Sequence, residues 1–169
     1  MLSQYNYKDL DDYNNLNEND DNIINNIVKT FYEDGSLKEE INYKNGKKNG
    51  EYKKYYNNKI SYKCNYFDGM LNGPYREYHN NGKLKLDFNY RNNILNGLYK
   101  EYYESGSLLE ECFYKNGYKN GKYYEYHENG KLMYECMMVN GLIHGVHKEY
   151  DKNGIIKYKH RYHNNILIE

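Results

Sequence analysis

Apolar and polar positions along this chain recur with a fixed spacing. The stretch Gly97 to Asn120, GLYKEYYESGSLLEECFYKNGYKN, is preceded by GPYREYHNNGKLKLDFNYRNNILN (Gly73 to Asn96) and followed by GKYYEYHENGKLMYECMMVNGLIH (Gly121 to His144). Gly73, Gly97, Gly121 and Gly145 fall 24 residues apart, and so do Gly82, Gly106, Gly130 and Gly154. A constant period of this length marks one supersecondary unit stacked on copies of itself. An incomplete unit starts near Val28, and the unit from Gly50 to Asn72 is one residue short. The series closes with Gly145 to Asn165, so 28–169 reads as about 5.5–6 repeats.

Each unit alternates apolar and polar residues in two short runs, which predicts two strands and two tight turns. The middle of the unit carries HNNGK, YESGS, HENGK or DKNGI. Two turn residues followed by Gly predict a three-residue hairpin loop with Gly in the left-handed position. The end carries YKNG, YFDG or MVNG, the strongest two-residue hairpin signal, with Asn93 and Asn165 standing in for Gly. The short unit tests this reading. A three-residue loop sets Tyr78 across from Leu84, Tyr102 from Leu108 and Tyr126 from Leu132, whereas the two-residue turn Asn57-Asn58 sets Tyr55 across from Ile60. The deletion preserves the aromatic–aliphatic pair in a hairpin and would derange a helix. About twelve strands in a single layer would form a ribbon about 55 Å long. Period-two alternation groups Leu108, Cys112 and Tyr114 on one face, and across the Asn-Gly turn it sets Cys112 opposite Gly121 and Phe88 opposite Gly97. Tyr99 and Tyr102, three apart, face opposite sides unless a bulge intervenes.

The units resemble MORN repeats, and most of all the variant in bacterial YwqK-type antitoxin components and in giant DNA viruses of amoebae. The residues that carry the likeness are Gly97, Tyr99, Glu101, Tyr102, Gly106, Leu108, Tyr114, Asn116, Gly117 and Asn120-Gly121. The resemblance implies an elongated, single-layer antiparallel β-sheet, all-β throughout, serving as a scaffold for proteins or phospholipids. The antitoxin likeness implies a toxin partner, and the viral likeness a host-cell cytoplasmic location. The chain departs from the pattern in lacking Trp and in having His147 where other units have Tyr.

Composition refines this picture. Mean hydropathy is -1.19, yet there are 25 Tyr. Each ring can be buried while its hydroxyl stays bonded or wet, which suits a thin sheet. Residues 1–27 carry six acids and one base, a net of -5 that leaves +5 for residues 28–169 of the neutral chain. This acidic, Asn-rich segment reads as a tail, or as a cap over the first sheet edge with Tyr5, Tyr7, Leu10, Tyr13 and Leu16 as anchors. No apolar run has the length of a membrane span and the start lacks signal-peptide character, so a soluble, intracellular protein is expected.

Candidate chemistry is sparse. Cys64, Cys112 and Cys136 occupy one repeat column; successive copies such as Cys112 and Cys136 are about 9–10 Å apart, beyond disulfide reach, and Cys64 lies a further repeat away. His144, His147, His160 and His163 crowd the last unit, but residues three apart on a strand do not chelate together, so polar surface is expected rather than metal binding. Glu77, Glu101, Glu125 and Glu149 form a column, with a base preceding three of them (Arg76, Lys100, Lys148), which reads as a solvated charge ladder. No phosphate loop or nucleophile motif is present, so no enzyme and no cofactor is expected. The expected function is a non-catalytic scaffold whose interaction face is built from Tyr52, Tyr75, Tyr99 and Tyr123 together with Tyr55, Tyr78, Tyr102, Tyr126 and Tyr150. The structural repeat glycines are Gly50, Gly73, Gly97, Gly121 and Gly145, with Gly82, Gly106, Gly130 and Gly154. An unidentified protein is the expected partner. Anionic lipid, a neutralised gene product and self-association through sheet edges are alternatives, and nucleic acid is disfavoured by the balance of acids and bases.

Overall fold

The computed structural model describes residues 25–169, so the expected tail, residues 1–27, lies almost wholly outside the described residues. Fourteen antiparallel strands form one open sheet in chain order. They are β1 Asn25–Phe31, β2 Leu37–Lys44, β3 Lys47–Tyr56, β4 Lys59–Phe67, β5 Met70–Tyr78, β6 Leu84–Arg91, β7 Ile94–Leu95, β8 Gly97–Tyr102, β9 Leu108–Lys115, β10 Tyr118–Tyr126, β11 Leu132–Val139, β12 Leu142–Tyr150, β13 Ile156–His163 and β14 Ile166–Leu167. Two more strands are present than the repeat pattern implied. Asn96 interrupts one limb of the meander to give β7 and β8, and the closing Ile166–Leu167 adds a short pairing to β13. Among the described residues no helix is long and apolar enough to cross a membrane.

The turns follow from local chemistry. At the Asn-Gly sites both central residues have positive φ, as at Asn116 (51°) and Gly117 (83°), the geometry whose twist matches that of the flanking strands. Asn93 (65°) and Asn165 (66°) take the glycine position as anticipated. Each also adds a bond to the neighbouring repeat, Asn93 Oδ1 accepting from Leu71 N at 2.7 Å and Asn165 Oδ1 from Ile143 N at 2.6 Å. The mid-unit loops are three-residue loops. Tyr78 pairs with Leu84, Tyr102 with Leu108 and Tyr126 with Leu132. In the short unit Tyr55 pairs with Ile60 around Asn57-Asn58 (φ 49° and 60°), so the missing residue leaves this contact in place.

Two register features correct the period-two reading. Beyond the Asn-Gly turn, Lys119 pairs with Tyr114, but the next pair is Tyr123 with Cys112. Asn120, Gly121 and Lys122 thus oppose the single residue Phe113, a wide bulge centred on a glycine at φ 92°. Cys112 therefore faces Tyr123 and not Gly121, and Phe88 stacks on Tyr99 while Gly97 pairs with Tyr114. Near the loop, a second bulge takes Leu109 out of the ladder, between the pairs Glu101–Glu110 and Tyr102–Leu108. Leu108 thereby leaves the series that Cys112 and Tyr114 continue. Because this bulge is in β9, it does not rephase β8, and Tyr99 and Tyr102 remain on opposite faces.

Candidate interaction faces

One row of directly paired residues crosses the sheet: Ile41, Tyr52, Cys64, Tyr75 and Phe88, then Tyr99, Cys112, Tyr123 and Cys136, and finally the pair His147–His160. The wide bulges build this row, because they bring a tyrosine of each first strand level with a cysteine or phenylalanine of the second. Small and large side chains alternate, so each of Cys64 and Cys112 sits between two tyrosines and is only 3 % exposed. Rings stack along the row and beside it, Tyr62–Tyr75 at 5.6 Å, Tyr75–Phe88 at 4.6 Å and Phe88–Tyr99 at 5.6 Å. The three cysteines are free thiols. Burial pushes Cys64 and Cys136 up to about 11 and Cys112 up to about 12.

The hydroxyls of this tyrosine column are satisfied within the sheet. Tyr99 donates to Glu101 (3.0 Å), the single Tyr123 hydroxyl proton is shared between Glu125 (3.0 Å) and Glu110 (3.1 Å), and Tyr75 lies 3.4 Å from Glu77. Burial, reinforced by these carboxylates, raises the phenols well above their usual range. The glutamate column is consequently not paired with the bases that precede it in sequence. Neighbours in a strand project to opposite faces, so Arg76, Lys100 and Lys148 lie on the other side, where their partners are Asp87 (3.4 Å), Glu111 (2.9 Å) and Glu135 (2.5 Å). Glu77 and Glu149 pair instead with Lys85 (2.7 Å) and Lys157 (2.9 Å), whereas Glu101 and Glu125 both stand directly opposite Glu110. Like charges in this arrangement repel. The tyrosine hydroxyls and Lys119, whose Nζ is 2.6 Å from Glu110, offset the repulsion.

The second face carries a charge row, paired strand by strand: Lys29, Glu40, Lys53, Lys63, Arg76, Asp87, Lys100, Glu111, Tyr124, Glu135, Lys148 and Lys159. Seven bases stand against four acids. Tyr126 lies beside Tyr124, with ring centroids 6.4 Å apart, and Tyr150 donates to Glu135 at 2.7 Å, which places their column on this charged face. By alternation from Lys53, Arg76 and Lys100, the rings of Tyr55, Tyr78 and Tyr102 belong with them. The two tyrosine columns singled out from sequence therefore lie on opposite sides: Tyr52, Tyr75, Tyr99 and Tyr123 in the stacked row, the other five beside the charge row. Sequence reasoning passed over an apolar group on the charged face. Leu98 pairs with Phe113, at 45 % and 47 % exposure, and Met137 and Val146 are exposed in neighbouring repeats. The signal was legible, since residues at odd and even positions of one strand must serve different faces.

The histidines pair across the last hairpin rather than along a strand. His147 is opposite His160, and His144 and His163 approach with ring centroids 4.8 Å apart. His147 packs between Tyr134 and Tyr162, and burial holds it below the ordinary histidine range. Among the described residues no group of three or more His, Cys, Asp or Glu is arranged to hold a metal ion.

A one-layer ribbon of stacked hairpins, with neither face covered among the described residues, is the architecture of a repeat scaffold. The family model described as "MORN repeat variant" matches residues 24–45, 71–92, 95–116, 119–140 and 143–164, and the chain belongs to this family. Its members are generally non-catalytic scaffolds that bind proteins or membranes. The matches pass over residues 46–70, which contain the shortened turn. A comparison with curated proteins gives no match.

Proposed function

We propose that this protein is a non-catalytic scaffold that binds another protein through its charged, tyrosine-bearing face. The observation that carries this reading is the composition of that face: partly buried Tyr55, Tyr78, Tyr102, Tyr126 and Tyr150 lie beside a charge row, with the exposed Leu98–Phe113 pair near its middle. Aromatic and apolar residues surrounded by charge are the makeup of an interface core and rim. The opposite column, Tyr52, Tyr75, Tyr99 and Tyr123, is engaged in the sheet's own stacking.

Alanine substitution in each column, read by affinity capture from host extract and by thermal melting, tests the proposal. Tyr102→Ala and Tyr126→Ala should lose the captured partner with little change in melting temperature, whereas Tyr75→Ala and Tyr99→Ala should lower stability by a few kcal/mol. Partner capture surviving in the Tyr102/Tyr126 double variant would refute it. A second reading rests on the excess of bases in the charge row, which suits an anionic lipid surface. Flotation with acidic-lipid vesicles, abolished by salt, would identify that mode. An antitoxin or immunity-type role would use the same face, with a neighbouring gene product as partner.

A further inference from the structure

The loop edge of the sheet is laced by bonds from one repeat to the next, and the lacing thins at one place. His79 Nε2 meets Tyr102 O at 2.8 Å, Tyr103 Oη donates to Tyr126 O at 2.8 Å, and His127 Nε2 meets Tyr150 O at 3.1 Å. Loop tips are joined as well: Asn81 Nδ2 to Glu104 O (2.7 Å) and Lys83 Nζ to Ser105 O (2.6 Å), repeated at Asn129 and Lys131. The stems of Lys83 and Lys131 lie over Gly106 and Gly154. At the short unit Tyr32 Oη still donates to Tyr55 O at 2.8 Å, but the links that the turn itself would make are missing. Among the described residues no hydrogen bond joins Tyr56, Asn57 or Asn58 to either neighbouring loop, and nothing comes within 4 Å of where Lys59 would cover Gly82. One missing residue withdraws the turn from the stack and leaves a hollow on each side, of about 750 Å³ toward the first loop and about 580 Å³ toward the third.

The first hollow is walled by Phe31, Tyr32 and Tyr56, with Glu33 and Asp34 at its lip. Phe31 and Tyr56 are each 58 % exposed, and among the described residues neither ring stacks on another. Lys38, which also lines the hollow, holds its Nζ 5.6 Å over the Tyr32 ring, so the rings open to an incoming cation are those of Phe31 and Tyr56. Asp34 Oδ1 accepts from Ser36 N and Oγ at 2.9 and 2.6 Å, whereas Glu33 makes no ion pair among the described residues. A flat cation that stacks on aromatic rings and pairs with a carboxylate matches these walls, and among side chains that is the guanidinium.

We propose that the notch at the shortened turn is a binding site for an arginine side chain presented by a peptide. The site lies at the turn edge, and although Phe31 extends the column of Tyr55 and Tyr78, the site uses none of the tyrosines that test the scaffold reading, so failure of one leaves the other standing. NMR titration of the full chain with N-acetyl-arginine methylamide, with the citrulline and lysine analogues as comparisons, tests it. Saturable shifts in the millimolar range are expected at Phe31, Tyr32, Glu33, Tyr56 and Asn57, and the uncharged citrulline analogue should bind at least tenfold more weakly. Glu33→Gln should weaken arginine binding about tenfold. Inserting one glycine between Asn58 and Lys59 recreates the loop pattern of His79–Lys83 and should abolish binding while the rest of the spectrum is retained. If that insertion disturbs folding, Tyr56→Ala removes one wall from the parent backbone and should weaken binding by a similar factor. Absence of saturable shifts, equal binding of citrulline, or full binding by the Tyr56→Ala protein would each overturn the proposal.

Discussion

Replacing Phe88 with alanine should cost about 3 to 4 kcal/mol, a large part of what holds a domain of this size together. Phe88 is 6 % exposed and stacks between Tyr75 at 4.6 Å and Tyr99 at 5.6 Å, with Tyr90 edge-on at 5.3 Å. An aromatic side chain buries about 150–250 Å², worth roughly 4–6 kcal/mol at 25 cal/mol per Å². Alanine retains part of that, and the sheet is one layer thick, so water can enter the vacated space and limit the cavity penalty. Loss of two stacking contacts restores about 1 kcal/mol to the cost. The location amplifies the effect, because Phe88 sits in the gap between the pairs Leu86–Glu101 and Asp87–Lys100 on β8 and Tyr90–Leu95 and Arg91–Ile94 on β7, where the ladder from β6 is interrupted. In a quasi-linear repeat array a weakened junction separates the segments on either side. Urea unfolding followed by far-UV circular dichroism should show the midpoint falling by about 1.5 to 2 M for a slope near 2 kcal/mol/M, and hydrogen exchange should accelerate first in β5 to β8. Phe113→Ala, at a residue 47 % exposed on the other face, should cost about 1 kcal/mol or less. Equal costs for the two substitutions would refute the assignment of the stacked row as the core.

The remaining predictions concern chemistry and backbone. With thiols pushed up to about 11 and 12, Cys64 and Cys112 should react with iodoacetamide at pH 8 about 100-fold more slowly than an unhindered cysteine, and unfolding in urea should remove the protection. The same shifts make the native state hold its protons longer than the unfolded one, so stability should decline as pH rises above about 9 and continue falling to about 11–12. His147, lowered by burial and by His160 against the opposing pull of Glu149, contributes stability that is present above the ordinary histidine value near 6.5 and lost as pH falls below it. His147→Tyr, the residue other units carry, should flatten the melting temperature between pH 6.5 and 5; an unchanged slope would count against this assignment. Gly50 has φ 105°, and a Cβ there would meet Asn42 Cβ at 3.2 Å, so Gly50→Ala should cost about 2 kcal/mol or more in melting experiments. Gly46→Asn, at a turn position with φ 75° and open space, should cost under about 0.5 kcal/mol.

The chain's own order of residues was sufficient for the repeat, the hairpins and the single open sheet, because each of these is specified locally. A turn needs positive φ at two adjacent positions, and Asn-Gly, or Asn-Asn at 92–93 and 164–165, supplies it without help from the rest of the molecule. The one-residue deletion at Asn57-Asn58 was readable for the same reason. The two glycine series differ in a way that the structure explains: turn glycines give way to asparagine at Asn93 and Asn165, whereas the bulge positions 50, 73, 97, 121 and 145 are glycine in every unit. The bulge backbone reaches φ 109° at Gly97, beyond the range that asparagine adopts in these turns. What only the tertiary structure decided is cross-strand register. Whether Cys112 meets Gly121 or Tyr123 depends on how much is gained by nesting a thiol between two rings, and that gain exists only once three strands are side by side. From that register follow the meeting of Glu101, Glu110 and Glu125 and the pairing of lysines with acids of other strands. Each depends on partners about 10 to 20 residues away in the chain, and alternation within a single strand carries no information about them.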